Sequence, residues 1–403
     1  MTDPTLDLTS TRLFDRIHAA LLAGAIGDAM GGPVEGLSYQ EIEARHGVVD
    51  TLLPYPFRPD YHNQFASAPG SVTDDTRLRH LVAEALVADD SPCWHGGLPR
   101  RGDLVWTLVS AYHAAETPLA RGFLEEYALG GVYDEAKLIW GGQMTNGFLM
   151  ANAPLGLICP GDPQAAFNLS FDLDFISDGY AKYAAAMGAA AVAAALAQPA
   201  ADEGCGEEGD PPLYHSPSPE PVVRAALAAA KAHRVEGPQT RAWQWYDHVF
   251  TLNERLIDTA VTLALKHRDV LALREPYYQA LHVSDLGSEA AQTLAVALGM
   301  LVAAEGDLRQ TIVGCVNYGR DNDSYATLAG AIAGALHGTA AIPTEWRQTV
   351  VNANPTLDFA ALSRRLTQVA YRRHLRHQRT VNAVAPLLKE IDKSQVTNSR
   401  RPE

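Results

Sequence analysis

Cysteine is scarce. Four occur in 403 residues, at Cys93, Cys159, Cys205 and Cys315, and none forms a C-x-x-C pair. That spacing argues against both a disulfide framework and a thiolate zinc site, and free thiols suit a reducing compartment. Basic residues are in deficit: 32 Lys and Arg stand against 47 Asp and Glu, a formal net charge of −15. Nucleic-acid backbones and anionic membranes repel such a chain, so neither is an expected partner. Long apolar runs are lacking as well. The most apolar stretch, 184–197, is mostly alanine and too short and weakly hydrophobic to span a bilayer. Residues 1–16 are polar and acidic where a signal peptide is basic and then apolar, so the expected location is cytoplasmic. There is no G-x-x-x-x-G-K phosphate loop, no evident Ser-His-Asp set and no internal repeat.

What is present is alanine at helical spacing. Alanine loses no side-chain entropy in a helix, and alternating β-branched runs are few, so the fold class is all-α. The periodicity predicts helices over 14–30, 76–87, 104–115, 179–197, 221–233, 241–265, 289–304, 308–316, 324–337 and 359–376. Small residues cluster on two of them: Ala23, Gly24, Gly27 and Gly31, then Ala329, Gly330, Ala333 and Gly334. They imply close backbone approach, for packing, for building a site, or for both. Residues 198–219 are rich in Pro, Gly, Ser and acids and read as an exposed loop. Residues 389–403 read as a polar tail, which leaves 1–388 as a single domain.

Four segments carry candidate chemistry. In Gly70-Ser71-Val72-Thr73-Asp74-Asp75-Thr76, two adjacent carboxylates stand where a helix begins. Gly319-Arg320-Asp321-Asn322-Asp323-Ser324 repeats the arrangement before another helix. Each alone reads as an N-cap with acids suited to the helix dipole. Together they offer four carboxylates that would repel one another if helix packing brought them together. A hard divalent ion, Mg²⁺ or Mn²⁺ (or Ca²⁺), relieves that repulsion, and four carboxylates can serve two ions. Glu35 follows the glycine-rich end of the first helix, either as a solvated loop acid or as a carboxylate on a flap closing over a ligand. Gly141-Gly142-Gln143-Met144-Thr145-Asn146-Gly147 is either an ordinary turn or a loop whose N–H groups receive phosphate.

In this order, Gly27-Asp28-Ala29-Met30-Gly31 with Pro33-Val34-Glu35, then Thr73-Asp74-Asp75-Thr76, then Asn146-Gly147 with Met150, then Gly319-Arg320-Asp321-Asn322-Asp323-Ser324, the chain resembles the ADP-ribosylglycohydrolase family. The likeness runs from about Arg12 to Pro343. It implies an orthogonally packed all-α fold around a binuclear Mg²⁺ or Mn²⁺ centre that binds ribose hydroxyls and activates water. By this resemblance Thr73, Asp74, Asp75, Asp321, Asp323 and Ser324 match the metal ligands, with serine where the family usually has threonine. Glu35 matches the acid of the gating flap. Gly142, Gln143, Met144 and Asn146 fall in the segment similar to the family's pyrophosphate-binding loop. Catalytic work then falls to Glu35, Asp75 and Asp323. The chain reads Ile176-Ser177-Asp178-Gly179 where some members carry Thr-His after the phosphate loop.

The implied substrate is an ADP-ribosylated protein, and a monomer is plausible. Two alternatives keep the scaffold: an N-glycosidase for a small nucleoside, nucleotide or ribosylated metabolite, and a non-catalytic binding or structural protein. A terpene-synthase-like diphosphate site is disfavoured, because the helix after Asp323, 324–337, contains no acid. His80, His113, His282 and His337 share no ligand spacing, and Arg364, Arg365, Arg372, Arg373 and Arg376 read as a solvated face or as intramolecular partners.

Overall fold

The structure is a computed structural model and describes residues 7–56, 68–115, 144–199, 218–233, 247–285 and 287–388. Most of the 198–219 loop, the 389–403 tail, Cys205 and the first turns of the helix expected over 241–265 lie outside the described residues. The described elements are helical, with no strand among them and two isolated bridges. In chain order they are α1 (Arg12–Gly31), α2 (Tyr39–His46), α3 (Asp74–Val87), α4 (Arg101–Ala114), α5 (Gly147–Ala151), α6 (Ala153–Leu157), α7 (Pro163–Leu173) and α8 (Gly179–Leu196). Then come α9 (Pro219–His233), α10 (Asp247–His267), α11 (Arg274–Ala280), α12 (Ala290–Ala303), α13 (Leu308–Tyr318), α14 (Asn322–His337), α15 (Thr344–Ala353) and α16 (Phe359–Val384).

The predicted helices all have counterparts, with shifted ends. Helix α3 starts two residues earlier than expected because Thr73 is its N-cap, its Oγ1 accepting from Asp75 N at 3.3 Å. Helix α16 runs eight residues further than expected. Short helices α2, α5, α6, α7, α11 and α15 escaped the periodicity reading. A helix of eight residues such as α2, with Ile42 its one buried residue, shows no repeating apolar face.

At the centre, α1 lies against α14, with α13 and α16 beside them, while α8 packs on α6, α7 and α9 and α10 packs on α12. The α1–α14 contact explains the small residues. A Cβ on Gly31 would sit 2.5 Å from the Asp323 Cα, and one on Gly330 would sit 2.5 Å from the Ala23 carbonyl oxygen. No side chain fits between these backbones, so the end of α1 is brought directly onto the start of α14. Helix α1 is the segment among the described residues that is long and apolar enough to cross a membrane, rather than 184–197. Its apolar window is 94% buried inside the fold.

The arginine series on α16 acts within the chain. Arg365 pairs with Glu84 at 2.8 Å, Arg372 stacks 3.8 Å over the Trp94 ring, and Arg373 donates to the Ile158 and Gly97 carbonyls at 3.1 and 2.8 Å.

Candidate functional site

The site forms where three chain segments meet at the ends of α1, α3 and α14. Glu35, Asp321 and Asp323 each contribute a carboxylate oxygen, and these oxygens all lie within 4.8 Å of one another. Asp323 is buried, and Glu35 and Asp321 are half-buried. Asp321 occupies the N-cap position of α14, yet its carboxylate makes no capping bond. An ordinary cap therefore does not account for it, and the acid is left to face the cluster.

In this structure the segment carrying Glu35 is held against the second motif. Helix α1 passes through a single 3₁₀ turn, Gly32–Val34, directly into Glu35. The following residues are stitched to the second motif: Gly36 N donates to Arg320 O and Arg320 N to Leu37 O, both at 2.7 Å. Arg320 adopts a left-handed backbone, φ 62°, at a cost of about 1–2 kcal/mol for a residue with a Cβ. Its guanidinium lies 4.7 Å over the Tyr278 ring and bonds Gln292 at 3.3 Å. These contacts offset the strain and anchor the turn that holds Glu35 next to Asp321.

The first motif approaches from the other side. Thr73 Oγ1 is 3.4 Å from Asp323 Oδ2. Asp75 is buried, and its Oδ1 has no hydrogen-bond partner. Burial pushes its carboxyl well above the usual range, and Asp74, Asp28 and Asp321 push it further. Burial does the same to Asp323, reinforced by Glu35, Asp75 and Asp321. Asp321 is raised by burial too, against the opposing hydrogen bonds from Asn146 and Ser324. The Ser324 hydroxyl donates to Met150 Sδ at 3.6 Å and lies close enough to Asp75 and Asp321 to oppose the rise of both carboxyls. Asp74, half-buried in the first turn of α3, contributes through its charge on Asp75.

Of the residues expected in a phosphate loop, Gly142 and Gln143 lie outside the described residues. Asn146 is buried with its amide turned inward: Nδ2 donates to Asp321 Oδ2, in a short contact, and to Thr293 Oγ1 at 2.9 Å. Its backbone N donates to Ser288 O at 2.8 Å. Asn146 therefore orients Asp321. Met144 packs against Gly179 and gives its carbonyl to Ala290 N at 3.1 Å. Segment 176–179 is a local cap: Asp174 accepts from Ile176 N and Ser177 N, and Asp178 caps α8.

Sequence reasoning missed three neighbours. Asp28, quoted in a motif but given no role, is fully buried and accepts from Thr73 and Thr76. Its signal was a charge inside a run of small apolar residues. Tyr55 donates to Ser71 O at 3.2 Å, and a Cβ on Gly32 would strike its hydroxyl. Burial and the charges of Asp28 and Asp323 hold its hydroxyl well above the usual range. Arg79, fully buried on α3, stands within electrostatic reach of Asp28 and Asp75. Neither Tyr55 nor Arg79 carried a spacing signal.

The donor set is oxygen throughout, crowded with carboxylates, and includes a buried carboxylate oxygen without a partner. It fits a hard divalent cation and not a soft one.

Comparison with known proteins bears on the family and the fold. A family model described as ADP-ribosylglycohydrolase matches residues 9–376. The Escherichia coli (strain K12) protein YegU is 26% identical over 338 residues, covering 81% of this chain and 89% of that protein. Gallus gallus ADP-ribosylhydrolase ARH3 is 44% identical over 43 residues, which is 11% of this chain and 12% of that one. A solved structure titled "ADP-ribosylglycohydrolase-related protein complex" superposes with a TM-score of 0.56 at 20% identity. The match covers 89% of this chain and 99% of that one, and it is a likeness of fold.

Proposed function

Because the chain belongs to the ADP-ribosylglycohydrolase family, and is thereby a glycosidase, we propose that it is a divalent-metal-dependent hydrolase. Its reaction severs the bond between the ribose anomeric carbon of an ADP-ribosyl group and its leaving group. The observation that carries this reading is the convergence of Glu35, Asp321 and Asp323 oxygens within 4.8 Å, with Asp75 and Thr73 closing the other side. Thr73, Asp74, Asp75, Asp321, Asp323 and Ser324 would hold two Mg²⁺ or Mn²⁺ ions. Such ions, when bound, supply Lewis-acid chemistry: they grip vicinal hydroxyls and make water more acidic.

The chain's own residues do the rest. Asp75 or Asp323 takes the proton from the attacking water. Water adds at the anomeric carbon as the bond to the leaving group breaks, and the leaving group departs with a proton. Glu35, pinned beside Asp321, sets negative charge where an oxocarbenium-like transition state develops positive charge. Asn146 keeps Asp321 in place by the hydrogen bond its Nδ2 donates to Oδ2. The continuous apolar core supports treating 1–388 as one catalytic unit.

The test is release of ribose-containing product from ADP-ribosyl-arginine, ADP-ribosyl-serine and a nucleoside panel, with Mg²⁺ or Mn²⁺ and after chelation. Metal-dependent release from an ADP-ribosyl substrate is the expected result and names the leaving group. Turnover of nucleosides alone moves the enzyme to small ribosylated metabolites. No release from any of them, with metal bound, overturns these substrates and leaves a binding protein or a different substrate as the better reading.

A further inference from the structure

Thr73 has one hydroxyl hydrogen and two acceptors in reach. Asp28 Oδ1 lies 2.7 Å away, and Asp323 Oδ2 lies 3.4 Å away. The first is a normal O–H···O bond, and the second is longer than one. Backbone N–H groups, which can only donate, fix the state of the Asp28 oxygens. Thr73 N donates to Oδ1 at 2.9 Å, and Thr76 N donates to Oδ2 at 3.0 Å. Both oxygens are therefore acceptors, and the Thr73 hydrogen has an acceptor waiting at the shorter distance. With that hydrogen on the Asp28 side and one lone pair of Thr73 Oγ1 accepting from Asp75 N at 3.3 Å, the other lone pair is left to turn toward Asp323.

We propose that Asp28, at the end of α1, is the positioning residue that turns the Thr73 hydroxyl oxygen outward as a cation ligand. The proposal rests on the reading of Thr73 as a ligand given above. Thr73 Oγ1 and an ionised Asp323 Oδ2 then face each other as acceptors 3.4 Å apart, an arrangement that a cation between them satisfies. Asp28 touches neither substrate nor ion and acts through Thr73. A carboxylate this deeply buried needs support. The Thr76 backbone N–H donates to it at 3.0 Å, and the Thr76 hydroxyl accepts from Arg79 Nη2 at 3.5 Å. Arg79 in turn donates to Leu21 O at 2.8 Å, so a buried cation stands behind the arrangement. Partners behind a ligand commonly change metal affinity by about 10–100-fold when removed.

The experiment is a double-mutant cycle read by calorimetric titration of the metal-free full chain with Mn²⁺ alone: wild type, Asp28→Asn, Thr73→Val and the pair, with Thr73→Ser as the conservative control. Asp28→Asn and Thr73→Val should each weaken Mn²⁺ binding by about tenfold or more. The pair should bind no more weakly than Thr73→Val alone, and Thr73→Ser should retain wild-type binding. Wild-type affinity in Asp28→Asn, or an undiminished Asp28→Asn effect in the Thr73→Val background, overturns the proposal. A folded wild type that binds neither Mn²⁺ nor Mg²⁺ overturns the metal reading itself, and this proposal with it. Thermal melts without metal check that each variant folds. Should Asp28→Asn not fold, neutron diffraction of the deuterated wild type reads the same point directly. A hydroxyl deuterium on the Thr73–Asp28 line upholds the proposal, and one on the Thr73–Asp323 line overturns it.

Discussion

Helix α3 carries ionisable groups at two levels that meet opposite fates. Its first turn presents Asp74 and Asp75 to the start of α14. One turn later, Arg79 and His80 point into the packed interior. Burial penalises charge at both levels. It pushes Asp75 well up, Arg79 down to about 10 and His80 down to about 3. The outcomes differ because of the neighbours. The acids repel one another around a shared space that a cation can enter. His80 instead gives its Nδ1 hydrogen to Thr76 O at 3.0 Å, rests edge-on against Phe359 and stays neutral. Similar desolvation thus builds a binding site at one level and a dry support at the next, depending on whether the charges are of one sign and face a common opening.

The sharpest way to break this contrast is to remove the buried cation. Arg79→Ala leaves Asp28 without it and opens a cavity, so stability measured by denaturant unfolding should fall by about 3–5 kcal/mol. The acidic level should respond the other way. Asp321→Asn removes one of the crowded charges. We expect the metal-free protein to gain about 1 kcal/mol in the same unfolding assay while Mn²⁺ affinity drops at least tenfold, about 1.4 kcal/mol.

The pH dependence separates the two levels more finely. The cluster acids have folded pKa values above their ordinary 3.8. The folded state therefore holds protons that the unfolded state has released, and the metal-free protein loses stability from these groups as pH rises above about 4. Saturating Mn²⁺ should abolish that slope in thermal melts. His80 acts in reverse. Its stabilising contribution is complete above about 6.5 and is lost as pH falls toward about 3, by up to about 1.4 kcal/mol per pH unit. His80→Gln should reduce the acid-side loss, leaving the shares of His18, His233 and His337, which burial also lowers, and make the carboxylate slope easier to see. If the two slopes do not separate in that variant, the contrast between the levels is wrong.

Much of the architecture was legible because it rests on local rules. Alanine content and apolar spacing mark α1, α3, α8, α12 and α14, and the small residues on α1 and α14 anticipate their contact. Short α2, α11 and α15 were not legible, since neighbours rather than a repeating face hold them. At the site, the two Asp-rich segments stood out as helix-entry acids. Their spacing was silent on whether the acids cap helices or face one another. Asn146 showed as a loop residue, while its amide turned out to bind Asp321.

By itself, then, the sequence determined the helical class, the acidic surface charge and which residues were candidates for holding a cation, because composition, periodicity and residue chemistry need no partner. Only the tertiary structure decided that Asp321 makes no cap, that Glu35 is pinned through Gly36 and Leu37 to Arg320, and that Asp28 lies 2.7 Å from the Thr73 hydroxyl. Each of these depends on residues far apart in the chain being brought within hydrogen-bonding distance. The close approach of α1 and α14, possible where glycine leaves no Cβ between them, brings them there.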